Sequence, residues 1–116
     1  MLLSYENRNV YIASQPVDFR MSIDGLSRFI QRHMPNHIHD GSIYTFYNQK
    51  KDKIKCLYWD RNGFVLHYKR FDKCTLKIQK MLKTIESISP EELEVLFSGM
   101  ESHEVARHPF LIEHKG

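Results

Sequence analysis

The residues of this chain that could do chemistry fall into three sets. Six aspartates (Asp18, Asp24, Asp40, Asp52, Asp60 and Asp72) are spread along it, three histidines (His33, His37 and His39) sit close together, and eleven cations crowd the middle. A two-metal nuclease needs carboxylates converging on ions roughly 4 Å apart. Nothing in the aspartate spacing forces that convergence; Asp60 reads as part of a hairpin turn and Asp18 as a helix cap. The histidines could hold a borderline metal, but there is no CxxC, and Pro35 interrupts the helix between His33 and His37. They read as loop histidines. No Gly-rich phosphate loop, nucleophile elbow or spaced Cys-His pair is present. We therefore expect no catalytic residues, no metal site and no cofactor; the enzymatic alternative is a nicking or strand-transfer activity that needs Mg²⁺ or Mn²⁺ and rests on Asp18, Asp24 and Asp60.

The cations carry more information. Residues 49–83 hold eleven basic side chains against three acidic ones, a local charge of +8. Residues 1–48 balance four against four, and 84–116 set two basic residues against seven glutamates, or −5. This asymmetry favours a polyanion or an acidic protein surface as partner of the middle segment, although a solvated lysine-rich face has the same composition. Eight of the fourteen aromatics also lie in 44–71, interleaved with those cations. Such a surface can neutralise phosphates and stack bases, but a domain this small needs most of its large rings inside.

The elements that must position these residues follow from periodicity. The chain has 116 residues, 41% hydrophobic and 27% charged, which fits one globular domain; 1–100 reads as that domain and 101–116 as a polar tail. Its longest apolar runs are far shorter than the roughly 20 residues of a membrane helix. The opening MLLSYENRNV lacks an apolar signal region, and the two cysteines make no disulfide framework. We read the protein as cytoplasmic, with Cys56 a small buried hydrophobe.

Val10 to Ala13 reads as a strand. Phe19, Ile23, Leu26, Ile30 and Met34 share one helical face, with Asp18 or Ser22 as cap and Pro35 as stop; Gly25 costs that helix about 1 kcal/mol. Ser42–Tyr47, Lys53–Trp59 and Phe64–Phe71 form a three-stranded antiparallel meander. An Asn62-Gly63 type I′ turn joins the last two, pairing Trp59 with Leu66, Leu57 with Tyr68 and Lys55 with Arg70. Alternation then puts Lys53, Lys55, Leu57, Trp59, Leu66, Tyr68 and Arg70 on one side. Ile54, Cys56, Tyr58, Val65, His67, Lys69 and Phe71 lie on the other. Apolar groups on both sides call for cover on both. Leu76–Lys80 fits a strand or a helix. Ser89-Pro90-Glu91-Glu92 opens a short helix with a capping box, which Gly99 ends. The expected fold is α+β: an antiparallel sheet of about four strands, a helix after the first strand and a short C-terminal helix.

Several stretches resemble a known family. Pro16-Val17-Asp18-Phe19-Arg20 followed by Ile23-Asp24-Gly25-Leu26 is similar to the opening of the accessory protein of IS66-type bacterial insertion sequences. Gly41–Phe46, Asn48, Asp52–Lys55, Leu57–Asp60, Gly63-Phe64, Leu66 and Tyr68–Phe71 resemble its central block. Ser89–Leu93 and Leu96–Gly99 resemble its terminal helix. The family's Lys-Gly after the first Arg is replaced by Met21-Ser22, its basic run has Arg where Gln49 stands, and Thr75–Ile78 replaces an FxWP element.

The resemblance implies a non-catalytic factor that assists a separate transposase, the transposase supplying the catalytic carboxylates. Binding to insertion-sequence end DNA, or to the transposase as an adaptor without direct DNA contact, both accord with it. The candidate DNA-binding residues are Arg20, Lys50, Lys51, Lys53, Lys55, Lys69 and Arg70. For Arg20 and Asp24, an internal ion pair holding the helix start is the alternative role.

Overall fold

Alternation in the central strands and a 3.6-residue stripe in the first helix produce a sheet covered on both faces. In the computed structural model, residues 7–35, 37–78 and 84–98 are described. The order is β1 (Val10–Ala13), α1 (Ile23–His33), β2 (Ile43–Tyr47), β3 (Lys53–Asp60), β4 (Gly63–Arg70), β5 (Ile85–Ile88) and α2 (Pro90–Ser98). The five strands lie in the spatial order β4-β3-β2-β1-β5. All neighbouring pairs are antiparallel except β1 and β2. That pair is parallel because α1 carries the chain back across the sheet between them.

Each face has its own core. Val10, Ile12, Ile43, Tyr47, Ile54 and Cys56 pack with Leu93 and Phe97 of α2. Ala13, Tyr44, Phe46 and Leu57 pack on the opposite side with Leu26 and Ile30 of α1. Strand β2 is buried along its whole length, as a central strand covered on both sides must be. Cys56 is fully buried beside Thr45, its cross-strand neighbour, and burial pushes its thiol up to about 12.

The α+β architecture, the meander and both helices stand as the sequence implies, and several details differ. A fifth strand, β5, pairs with the outer edge of β1, Val10 opposite Ile88. The β3–β4 register differs from the expected one by two residues. Asp60 and Gly63 form the last pair, so the loop is Arg61-Asn62. Arg61, not Asn62, takes a left-handed φ of 51°, and the Asn62 N–H donates to the Asp60 carbonyl. This register sets Leu57 against Leu66 and Trp59 against Phe64, whose rings lie 5.0 Å apart. The expected register would have left Phe64 facing Arg61, a poorer cross-strand match. A two-residue difference preserves side-chain parity, so the division of residues between faces is unchanged.

Helix α1 starts at Ile23, later than Phe19. Ser22 occupies its N-cap position but makes no side-chain cap bond. Asp18 instead caps a separate turn, accepting from the Arg20 N–H. Gly25 has a packing reason: a Cβ there would lie 3.2 Å from the Met21 side chain. At α2 the capping box is complete, the Glu92 N–H donating to Ser89 Oγ and the Ser89 N–H to Glu92 Oε1. Residues 74–78 form neither strand nor helix. The rest of the Leu76–Lys80 expectation, Gly99 as helix stop and the polar segment 101–116 lie outside the described residues.

Candidate nucleic-acid interface

The candidate cations do not form one face; the hairpin sends them three ways. Lys50 and Lys51 belong to the β2–β3 turn, which Asn48 organises. Its Oδ1 accepts from the Asp52 and Lys53 N–H groups, and its Nδ2 donates to Asp52 Oδ1 at 2.6 Å. That bond holds the Asp52 carboxyl below the usual carboxylate range. Lys51 takes φ 58°, and its carbonyl accepts from the Leu76 N–H at 2.7 Å. The turn is thus tied to the chain that follows β4, and Lys50 projects exposed from it.

Lys53 and Arg70 are direct cross-strand partners on the α1 side, at the end of the hairpin adjoining that turn. Arg70 is exposed and Lys53 half-buried. One same-face step along, about 7 Å, lies the pair Lys55 and Tyr68.

Lys55 is only 5% exposed. Its Nζ donates to the Phe19 carbonyl at 2.9 Å and to the Met21 carbonyl at 2.8 Å. The ammonium also lies 4.6 Å from the Phe19 ring centroid and 5.5 Å from that of Tyr68. Burial lowers its pKa from the ordinary lysine value. Lys55 therefore pins the 18–21 turn onto β3 and presents no free charge to a partner. Alternation placed it on the right face but carried no signal that a chain segment crosses over it.

That turn displays Arg20. Asp18 grips it through Arg20 Nε at 3.0 and 3.1 Å and Nη2 at 2.6 Å, with the arginine side chain 91% exposed. The Arg20 hydrogen bond holds the Asp18 carboxyl down at about 2. The ion pair expected within this motif exists, but its acid is Asp18 and not Asp24. Arg20, Asp18, Asp24 and Arg28 line a shallow surface depression at the start of α1. Lys69 points to the other face. Its Nζ donates to the Phe97 carbonyl in the last turn of α2 and sits 5.0 Å from the Phe71 ring centroid.

Asp40, Asp60 and the three histidines have local neighbours, as Asp18 and Asp52 do. Asp40 accepts from the Ser42 N–H and meets His37 Nδ1 at 3.2 Å. Asp60 lies 3.5 Å from its neighbour Arg61. His33 packs on Phe29, and His39 meets Trp59 edge-on at 4.7 Å. What the sequence did not single out is Tyr68, 53% exposed between these cations.

A model of the IS66 Orf2-like protein family matches residues 8–107. This chain belongs to that family. Two uncharacterized proteins of Sinorhizobium fredii are similar to it. One, y4jC, is 29% identical over 100 residues, covering 86% of each chain. The other, y4hO, is 28% identical over 109 residues, covering 94% of this chain and 91% of the relative. No solved structure matches. Membership of the IS66 Orf2-like family connects the protein with an insertion sequence and an accessory role there. Among the described residues, no helix is long and apolar enough to cross a membrane.

Proposed function

We propose that this protein assists transposition without catalysing it, by contacting DNA phosphates through the open end of its β3–β4 hairpin. The observation that carries this reading is the Lys53–Arg70 cross-strand pair, adjoining the exposed turn cation Lys50. Two cations on adjacent strands, with Lys50 and Lys51 beyond them, can follow a phosphate backbone. Arg20 adds a charge already shared with Asp18. Lys55 and Lys69 serve the reading indirectly, by fixing the surfaces around the hairpin. The non-catalytic part is supported by the aspartates: Asp18, Asp40, Asp52 and Asp60 each complete a local turn or pair.

The test is a titration against duplex DNA carrying insertion-sequence ends and a scrambled duplex, at about 50 and 200 mM salt. The wild-type protein is expected to bind with a steep salt dependence. Lys53→Ala with Arg70→Ala should lower the slope of log K against log salt by about 2. No binding at the lower salt overturns the reading. A second reading has its own observation. β4 ends the strand order, so its outer edge is unpaired among the described residues, and a strand of the transposase could add there. That adaptor would bind the transposase while ignoring free DNA.

A further inference from the structure

Tyr68 is the exposed large hydrophobic side chain of the described residues, 53% accessible beside the exposed Arg70 on the α1 face of the sheet. Its ring has two unlike sides. One meets the Phe19 ring edge-on at a centroid distance of 6.0 Å, with the Lys55 ammonium 5.5 Å from the Tyr68 centroid. About half of the residue is open to solvent. Because Lys55 is held by two carbonyls and Phe19 belongs to the turn it pins, the ring rests on a fixed support. The Lys53–Arg70 pair lies one same-face step away, and Arg20 projects from the pinned turn.

We infer that Tyr68 is a stacking platform for an unpaired nucleotide base, with Lys53 and Arg70 placed to take that nucleotide's phosphates. The inference rests on the DNA reading above and narrows its substrate class to nucleic acid with unpaired bases, such as an overhang or an opened end. An aromatic ring stacks on any base whose π-face is free, and the interior bases of a closed duplex, stacked on both sides, offer none. Charge complementarity selects a nucleic acid strand over an apolar peptide: the ring sits among cations and not in a closed apolar pocket. The support beneath it lowers the ordering cost of stacking, since the ring does not have to be immobilised on binding.

The experiment uses the full chain and three fluorescent DNA probes of one sequence: a single strand of about 20 nucleotides, the blunt duplex, and a duplex with a short overhang. Each is titrated at about 50 mM salt. The single strand and the overhang should bind more tightly than the blunt duplex. Tyr68→Ala should weaken both about 5- to 100-fold while changing blunt-duplex affinity less than about twofold. Tyr68→Phe should keep the wild-type preference. Tyr68→Leu, which keeps an apolar side chain without a π-face, should lose it. Thermal melts of all three variants control for folding.

Equal loss on every probe, or an unchanged preference in Tyr68→Ala, overturns the platform and leaves the phosphate-contact reading standing. Absence of binding to any probe, including the blunt duplex, removes both. Loss of transposase binding with nucleic-acid binding intact assigns Tyr68 to a protein interface and also overturns the inference.

Discussion

The two faces of the sheet use the same hairpin differently. On the α1 side, Lys55 is buried and its ammonium holds the Phe19 and Met21 carbonyls just ahead of the helix. On the α2 side, Lys69 stays exposed and holds the Phe97 carbonyl at the helix end. Both lysines join the hairpin to a covering element through backbone carbonyls. One fixes a chain segment that leads into a helix; the other complements the negative end of a helix dipole. Two of the charges that make this segment basic are thereby committed to architecture. Of the hairpin cations, Lys53 and Arg70 remain on the α1 side, with Lys50 and Lys51 in the turn beside them.

The hardest way to break this comparison is to empty either core. Leu26 and Leu93 are both fully buried, one under each helix. Leu26→Ala and Leu93→Ala should each lower stability by about 2–5 kcal/mol, read as denaturant midpoints. A far smaller loss for Leu93 would show that α2 is a peripheral cover. The lysines sharpen the contrast. Lys55→Met keeps the stem and deletes the ammonium, so it should cost about 1–3 kcal/mol by leaving two carbonyls without their donor. Lys69→Met should cost less, about 0.3–1 kcal/mol. Equal costs would deny the distinction between a buried strut and a surface cap. Ser89→Ala removes one half of the α2 capping box and should cost about 1 kcal/mol, with α1 unaffected.

The smallest effect is one of pH. Burial on the α2 side lowers the pKa of His67, whose Nε2 lies 3.3 Å from the Tyr58 hydroxyl. The unfolded chain takes up this proton first as pH falls below about 6.5, so stability should decline from that point toward the lower folded-state pKa. His67→Gln should flatten that part of the stability profile. Asp18 on the α1 side behaves in the opposite chemical sense. Its folded carboxyl is held at about 2 by Arg20, so its contribution is present above about pH 4 and is lost as pH falls toward about 2.

Most of the frame could be read from residue order. Alternation located β2, β3 and β4 and divided the hairpin between two faces, and Ser89-Pro90-Glu91-Glu92 announced α2 through its reciprocal hydrogen bonds. β5 was missed because Ile85–Ile88 is four residues long and runs straight into that cap; its identity comes from pairing with β1. The turn at Arg61-Asn62 was misplaced because Asn-Gly chemistry points one way and the Leu57–Leu66 and Trp59–Phe64 pairings another. The candidate site was only half legible. Composition marks lysines as a group, but burial of Lys55 depends on a segment 36 residues earlier folding over it. Tyr68 gave no signal either, since an exposed tyrosine and a core tyrosine look alike in an alternating strand.

The strand order also sets a timetable for assembly. β2, β3 and β4 are joined by short loops and can zip together through local contacts as soon as residue 70 is available. β1 is made first yet must wait: its parallel partner β2 arrives after α1, and its other partner β5 arrives only at residues 85–88. Until then one edge of β1, with its backbone N–H and C=O groups unpaired, is an open and sticky border of the nascent sheet. A chain interrupted before Ile85 should therefore self-associate through its oldest strand, while one that has passed Ile88 seals that border with its own backbone.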